Sequence, residues 1–266
     1  MEKEMIYRNT RFHAQGHFAH QEAATLACQG RWKEAAQRWD QAVILARQGR
    51  FLERAAMFEG ARAVWNAMFG LREEARKNSA EALSLYRSRD ADYAPALTLA
   101  LLGESKEVQK IGAELEKRFP DYTSLQFSYL PVLRGLDSIH RGDPKRAVEI
   151  TQRAATYELA VPGTAYYSGS FLGALLPVYV RGLALAQIGR HREAAAEFQK
   201  IVNHPGMTMN EPVGPLARLQ LARALSASGD RGKSAAVYKD LLSLWKDADP
   251  DLPLVQKAKA EYSKTQ

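Results

Sequence analysis

Three histidines near the N-terminus have the spacing of one face of a helix. His13, His17 and His20 lie at positions i, i+4 and i+7, which share a face because an α-helix turns once every 3.6 residues. Three imidazoles arranged in this way can ligate zinc or nickel, with a water molecule completing the coordination shell. The alternative is a polar face on a terminal helix, and spacing alone is a non-specific signal. We therefore predict no bound metal ion and no other cofactor.

Two arginines occupy the same place in two similar segments, "LPVLRGL" and "LPVYVRGL". An arginine at a packed helix position needs a carboxylate or carbonyl partner, because an unpaired buried charge is very unfavourable. One hypothesis pairs Arg134 and Arg181 with structural carboxylates, for which Glu158 and Glu211 are candidates. The other hypothesis places both arginines against an anionic ligand.

The segment "YELAVPGTAYYSGSFLGALLP" is a tyrosine-rich insertion that begins at Tyr157. Its glycine and serine residues predict a loop, and long loops inside compact proteins are commonly functional. Aromatic side chains are also the type that binding surfaces use most. The aromatic residues of the insertion are Tyr157, Tyr166, Tyr167 and Phe171. They either contact a partner or cover the junction between two helical hairpins.

Residue patterns typical of catalysis are missing from the sequence. No nucleophile–base pair, acidic dyad or metal-ligand set has a telling spacing. The glycine-rich loop and the Asp-Phe-Gly motif of protein kinases are also absent. We therefore predict that the chain is not an enzyme. Cys28 is the only cysteine, which excludes an internal disulfide and any metal site built from several cysteines.

The charge of the chain is basic but evenly distributed. The formal net charge is +7, with 37 basic residues interleaved among 30 acidic ones. Such mixing predicts solvated helix faces rather than a phosphate-binding stripe, so we expect no nucleic-acid partner. The chain contains no run of 18 apolar residues, and its first residues lack the apolar core of a secretory signal. We therefore expect no direct membrane insertion.

Six glycines divide the sequence into similar units. They are spaced at intervals of 33 to 47 residues, and each is followed five residues later by a small residue or valine. The glycines are Gly30, Gly70, Gly103, Gly142, Gly189 and Gly229. Glycine adopts the left-handed conformation that ends one helix and lets the next turn back. Small residues on both sides then let the two helices approach closely, so each unit is predicted to be a helical hairpin.

The predicted fold is all-α, a right-handed solenoid of about six hairpins forming one unit over residues 1–266. The hairpins are predicted at roughly 16–47, 56–87, 89–120, 128–158, 175–204 and 215–246. The segment 252–264 has apolar residues on one face and lysines on the other. A solenoid requires a final helix of that kind to cover its last core layer.

The hairpins resemble the tetratricopeptide repeat (TPR). The likeness is clearest where Val178, Arg181, Gly182 and Leu185 are followed by Ala194 and Phe198, in the order of the repeat signature. From Leu125 onward, with "PVYVRGLALAQIGRHREAAAEFQKIVNHPG" as its clearest part, the chain also resembles the C-terminal repeat region of large bacterial serine/threonine protein kinases. That resemblance implies a non-catalytic interaction or sensor module.

The two resemblances imply a location and a binding surface. A repeat region of a membrane-anchored kinase would be extracytoplasmic. Otherwise the chain would be cytoplasmic, and similar repeats also follow winged-helix DNA-binding domains in transcription regulators. In the TPR, the first helix of each hairpin lines a concave groove. The groove positions here include Tyr93, Tyr129, His140, Tyr179 and Arg223.

The partner expected for this groove is a protein segment or peptide, because the surface is apolar, rich in tyrosine and poor in charge. Two alternatives stay open. One is association with a second copy of the chain. The other is a small anionic ligand that contacts Arg134, Arg181 and the tyrosines of the insertion and bends the solenoid.

Overall fold

The computed structural model describes residues 2–160 and 175–265, with side chains from Phe12 onward. Within these ranges all regular structure is helical, and no strand is present. The chain is an all-α solenoid of TPR-like hairpins, which confirms the predicted fold class. No described helix combines the length and the apolar character needed to cross a membrane.

Six antiparallel helical hairpins follow one another in the described ranges. Their helices are α1 Glu2–Cys28, α2 Trp32–Gln48, α3 Leu52–Met68, α4 Arg72–Leu85, α5 Arg89–Leu102, α6 Ser105–Arg118, α7 Leu130–His140, α8 Pro144–Gln152, α9 Leu176–Gln187, α10 His191–Val202, α12 Val213–Ala227 and α13 Arg231–Leu244. A π-helical turn, Leu125–Tyr129, precedes α7, the single turn α11 (Pro205–Thr208) precedes α12, and α14 (Pro253–Ser263) follows the last hairpin.

The turn inside each hairpin has the predicted conformation. All six repeat glycines have positive φ, from 75° at Gly30 to 91° at Gly229. This is the left-handed region that residues with a Cβ avoid. The repeated glycines therefore mark positions where the turn requires a positive φ. The turn between the first two hairpins is different, because Arg50 adopts φ 61° there without being glycine.

Small residues let the helices pack closely. Ala35, Ala75, Ala147 and Ala194, each five residues after a repeat glycine, are fully buried. One close approach is at Gly182 in α9, where an added Cβ would lie 2.7 Å from Cε1 of Phe198 in α10. Glycine is therefore needed at this position for space rather than for backbone freedom.

The two ends of the solenoid meet. Residues 28–33, the turn of the first hairpin, contact residues 245–251, which follow the last hairpin, and we call this contact the seam. Trp245 Nε1 donates to the carbonyl oxygen of Cys28 at 3.0 Å, and the Asp249 amide donates to the Gly30 carbonyl at 2.9 Å. Ala248 packs directly against Gly30. The solenoid is thus a closed ring, a feature that the repeat pattern does not predict.

An aromatic cluster that includes two seam residues, Trp32 and Trp245, contains all four tryptophans of the chain. Trp32, Trp39 and Trp65 contact one another at centroid distances of 6.0 to 6.3 Å. Phe69 joins them to Trp245, the residue directly after α13, at 5.9 Å. Aromatic rings bury a large apolar area per residue, so this cluster contributes apolar packing where the ring closes.

Residues 203–212, which connect α10 to α12, also reach the first helix, and we call this segment the strap. Asn210 Nδ2 donates to the carbonyl oxygen of Gln21 at 3.1 Å, and the Cys28 thiol lies 3.9 Å from the carbonyl oxygen of Glu211. Met209 has φ 46° and is mostly exposed. The strap therefore links the fifth hairpin to the first across 189 residues.

Candidate functional site

The tyrosines predicted to line an open groove are buried in the interior of the ring. Tyr93 and Tyr129 are fully buried and stack face to face, with centroids 3.8 Å apart and ring planes at 7°. Tyr179 is also buried and contacts Phe198 edge to face. The expectation that these three positions line an open concave groove is therefore corrected, because their rings lie among the core side chains.

The electrostatics of the tyrosines agree with their burial. Desolvation raises the pKa of Tyr179 to about 12 and raises the pKa of Tyr93 well above its usual value. The carboxylate of Glu211, on the strap, raises the pKa of Tyr93 further. The strap thus lies close to the interior tyrosines. The Tyr129 hydroxyl donates to Asp90 Oδ1 at 3.1 Å.

Arg181 is the centre of a buried ion-pair network. Its Nη2 atom donates to Glu158 at 2.8 Å and to Glu197 at 2.5 Å, and Lys200 donates to Glu158 at 2.6 Å. Burial alone would raise the pKa of Glu158, but the hydrogen bonds from Lys200 and Arg181 outweigh it and hold that pKa below its usual value. The pairing with Glu158 matches the structural hypothesis, while Glu197 was not foreseen.

Arg134 differs from Arg181 although the two share a repeat position. Its side chain is half exposed and donates to Glu116 at 2.6 Å. The position is therefore not a packed one in the fourth hairpin, and the two arginines do not share a pocket. Both already have carboxylate partners, so neither is free for an anionic ligand in this conformation.

The remaining predicted site residues lie apart from one another. His140 is exposed and its ring lies beside the Gly103 turn. Arg223 forms a two-point ion pair with Glu261 of α14, at 2.8 and 3.0 Å, and so attaches the final helix. Tyr157 is partly exposed and contacts Phe127. Tyr166, Tyr167 and Phe171 lie outside the described residues.

The three N-terminal histidines point to different neighbours. His13 contacts the ring of Phe51, while His20 is fully buried and stacks on Phe58 at 4.6 Å. Burial lowers the pKa of His20 to about 3, with smaller contributions from His17 and Arg54. Among the described residues, no group of three or more His, Cys, Asp or Glu side chains is placed to hold a metal ion.

An open groove lies on the outer face of the first hairpin, between α1 and α2. Its volume is about 930 Å³, and we call it the amide groove. Its lining residues are Phe18, Gln21, Glu22, Thr25, Leu26, Gln29, Arg31, Glu34, Gln37, Arg38 and Gln41. In α1 and the residue that follows its end, the lining positions 18, 21, 22, 25 and 29 have the spacing of one helix face, opposite the buried alanines.

The amide groove combines a neutral polar lining with one exposed ring. Its charges are paired within it, Arg31 with Glu34 at 2.6 Å and Arg38 with Glu22 at 3.2 Å. Four glutamines supply most of the remaining polar surface. Phe18 is 68% exposed, the highest value among the large hydrophobic residues that the structure describes. Two features of the sequence could have indicated this site: the stripe of amides, and a phenylalanine on the solvent side of α1.

A second groove, of about 600 Å³, runs between α2 and α4. A chain of hydrogen bonds leads into it from Trp32 Nε1 through Asn66 and Asn78 to Glu59, at 3.2, 2.8 and 2.8 Å. Burial raises the pKa of Glu59. These hydrogen bonds link the first two hairpins. Because the polar groups are hydrogen-bonded to one another, a structural role is favoured.

Comparison with known proteins gives a likeness of fold only. No family model and no curated protein matches the sequence. The structure is similar to TTC0263, a thermophilic TPR protein of Thermus thermophilus, with TM-score 0.48 and 18% identity over 79% of this chain and 98% of that one. It is also similar to yeast Tom70, with TM-score 0.49 and 12% identity, covering 88% of this chain and 48% of Tom70.

Proposed function

We propose that the chain is a non-catalytic protein-interaction module that takes a partner segment in the amide groove. The observation that supports this most directly is the exposed Phe18 ring in an open groove whose charges are already paired. Aromatic side chains are enriched in binding surfaces, and side-chain amides can hydrogen-bond to a partner. The chain's solenoid of helical hairpins suits such a role as well.

The chemistry of the groove favours an uncharged polypeptide segment. Since the paired arginines and glutamates leave no net charge in the lining, a phosphate backbone would gain little there. The amides of Gln21, Gln29, Gln37 and Gln41 can both donate to and accept from a peptide backbone. Asn210 of the strap already binds Gln21 and Thr25 in this way, at 3.1 and 3.3 Å. The proposed partner therefore offers backbone or side-chain amides and an apolar residue that packs on Phe18.

A displayed peptide library gives a direct test. Peptides enriched on the immobilised chain would be synthesised with a fluorescent label and titrated against the wild type and Phe18→Ser. We expect saturable binding to the wild type and at least a tenfold weaker affinity for Phe18→Ser, because truncation of a central aromatic side chain in an interface commonly costs about 2 kcal/mol or more of binding free energy.

Ile44→Ser is the matched control. Ile44 is also an exposed apolar residue of the first hairpin, but it faces the second groove. It should leave the affinity unchanged. Equal binding by the wild type and Phe18→Ser would overturn the assignment of the partner site to the amide groove.

We further propose that the chain acts within a larger signalling protein, as its resemblance to the repeat region of bacterial serine/threonine kinases implies. The test is the reading frame upstream of Met1 in the genome. A kinase domain followed by one membrane-spanning segment would support an extracytoplasmic receptor module. A stop codon or a winged-helix domain would instead support a cytoplasmic adaptor or regulator.

A further inference from the structure

The turns inside the hairpins differ in charge along the solenoid. The turns of the second and third hairpins, residues 69–74 and 102–107, contain two basic and four acidic residues. The turns of the fourth, fifth and sixth hairpins, residues 141–146, 188–193 and 228–233, contain seven basic and three acidic residues, and all seven basic residues are exposed. We call these three turns the basic edge. The even mixing of charges along the sequence therefore does not hold at this edge.

The three turns of the basic edge follow one another in space. Helices α7 and α8 contact α9, and α10 contacts α12, so the fourth, fifth and sixth hairpins stack in order. Residues 189–193 of the fifth turn line a cavity of about 320 Å³ together with residues 227 and 228 at the sixth turn. Because packed helices lie about 8–10 Å apart, successive turns are expected at intervals of about 10 Å.

Each turn of the basic edge has one cation without an acidic partner. The other basic side chains of the edge pair with an acidic residue three or four positions away. Among the described residues, no ion pair or side-chain hydrogen bond involves Lys145, Arg192 or Arg231. Two acidic residues of the edge are engaged elsewhere, because Asp143 and Asp230 accept from backbone amides at the starts of α8 and α13, at 3.0 and 3.2 Å. Three cations are therefore available to an anion from outside the chain.

The composition of the basic edge favours an acidic polypeptide over other anions. None of the exposed large hydrophobic residues of the described chain lies in its turns, so it offers no apolar side chain to insert into a membrane. It contains no Phe, Tyr or Trp on which a nucleic-acid base could stack. An extended polypeptide advances about 3.3 Å per residue. Such a segment can therefore place one acidic side chain at each cation, with two neutral residues between successive acids.

We propose that the basic edge binds an extended acidic segment of a partner protein, with Lys145, Arg192 and Arg231 each pairing with one carboxylate. Helices α8, α10 and α13 begin at the same edge, and their N-termini add partial positive charge there. The basic edge is a second interaction surface, separate from the amide groove, whose lining lies entirely in the first hairpin. Each surface can therefore be tested without the other.

Two variants with the same net charge test this proposal. The probe is a fluorescently labelled peptide in which each glutamate is followed by two neutral residues, titrated at low salt and followed by fluorescence anisotropy. The edge variant removes the three available cations as Lys145→Gln, Arg192→Gln and Arg231→Gln. The control variant removes three other exposed lysines, on α13 and α14, as Lys239→Gln, Lys257→Gln and Lys259→Gln. Both variants lose three positive charges, so the general attraction of a basic protein for an acidic peptide falls equally in the two.

We expect saturable binding of the peptide to the wild type, at least a tenfold weaker affinity for the edge variant and less than a twofold change for the control variant. All six substitutions are at exposed positions, so the helical circular dichroism should be unchanged. Phe18→Ser should bind the acidic peptide as the wild type does, because Phe18 belongs to the amide groove. Equal losses in the two triple variants, or no saturable binding to the wild type, would overturn the proposal.

Two further probes distinguish an acidic polypeptide from other anionic partners. An oligothymidylate with the same number of charges as the peptide and vesicles of phosphatidylglycerol would be titrated in the same buffer. Both should bind the wild type more weakly than the peptide does. Tighter binding of either probe that is lost in the edge variant would assign the basic edge to a nucleic acid or a lipid surface, and the polypeptide proposal would be wrong.

Discussion

Arg181 and Arg134 occupy the same repeat position, one in a buried ion pair and the other in an exposed one, so they allow the effect of burial on an ion pair to be measured. Both follow a Leu-Pro-Val segment, yet Arg181 is buried with Glu158 and Glu197, while Arg134 pairs with Glu116 in water. Removing one partner of a buried pair destabilises by about 3–5 kcal/mol when the remaining charge has no other partner. Without Arg181, Lys200 alone would face both carboxylates, so the loss should approach that range. An exposed pair contributes about 0–1 kcal/mol. Urea unfolding should therefore show a large loss for Arg181→Met and a small one for Arg134→Met. Equal losses would mean that the network is not buried.

His20 should make the fold sensitive to mild acid. The unfolded chain binds a proton at this imidazole below about pH 6.5, whereas the folded chain does so only near pH 3. Stability from neutral His20 is thus complete above pH 6.5 and is lost as the pH falls toward 3.

Between pH 7.5 and pH 5 the loss from His20 amounts to about 2 kcal/mol. His20→Leu, which cannot bind a proton, should reduce the pH dependence of the unfolding free energy by that amount. The unfolding free energies at pH 7.5 and pH 5 would be measured by chemical denaturation. If their difference is the same in His20→Leu as in the wild type, the assignment to His20 is wrong.

The packing of α9 on α10 depends on the absence of a Cβ at residue 182. In Gly182→Ala the new methyl group would lie 2.7 Å from the Phe198 ring, which is fully buried and has little room to move. Overpacking of this kind costs about 1–3 kcal/mol.

Gly112→Ala in α6 is the matched control, because Gly112 is also buried in a helix but its added methyl would lie 3.8 Å from Leu130. There the better helix propensity of alanine should stabilise the chain by up to about 1 kcal/mol. Thermal denaturation of both variants tests the contrast. Two losses of similar size would show that helix context, not Phe198, decides the outcome.

The hairpins were predictable because their causes are local. A glycine in the left-handed conformation and a small residue five positions later lie close together along the chain, so the sequence displays them directly. The Arg181–Glu158 pair was also foreseeable from the requirement that a buried charge has a partner. Glu197 was not, since any of several acidic residues at helical spacing could have faced Arg181.

The closed ring could not be predicted in the same way. Asn210 and Gln21 are 189 residues apart, and their contact depends on small rotations accumulated over successive hairpin interfaces. The same accumulation determines whether first-helix tyrosines face water or one another. Tyr93 was therefore placed correctly on a first helix, and Tyr129 at the start of one, but the exposure of both rings was predicted wrongly. The amide groove was missed for a simpler reason, because it lies on the outer face of the first hairpin.

Ring closure also changes how the hairpins depend on one another. In an open array each repeat is supported only by its neighbours, so fraying begins at the two termini and shortening the array removes stability step by step. Here the first hairpin has the last one as a neighbour, through Trp245 and Asp249. Removal of α13 and α14 would therefore remove contacts from α1 and α2. A deletion at the C-terminus should lower the local stability of the N-terminal hairpin first.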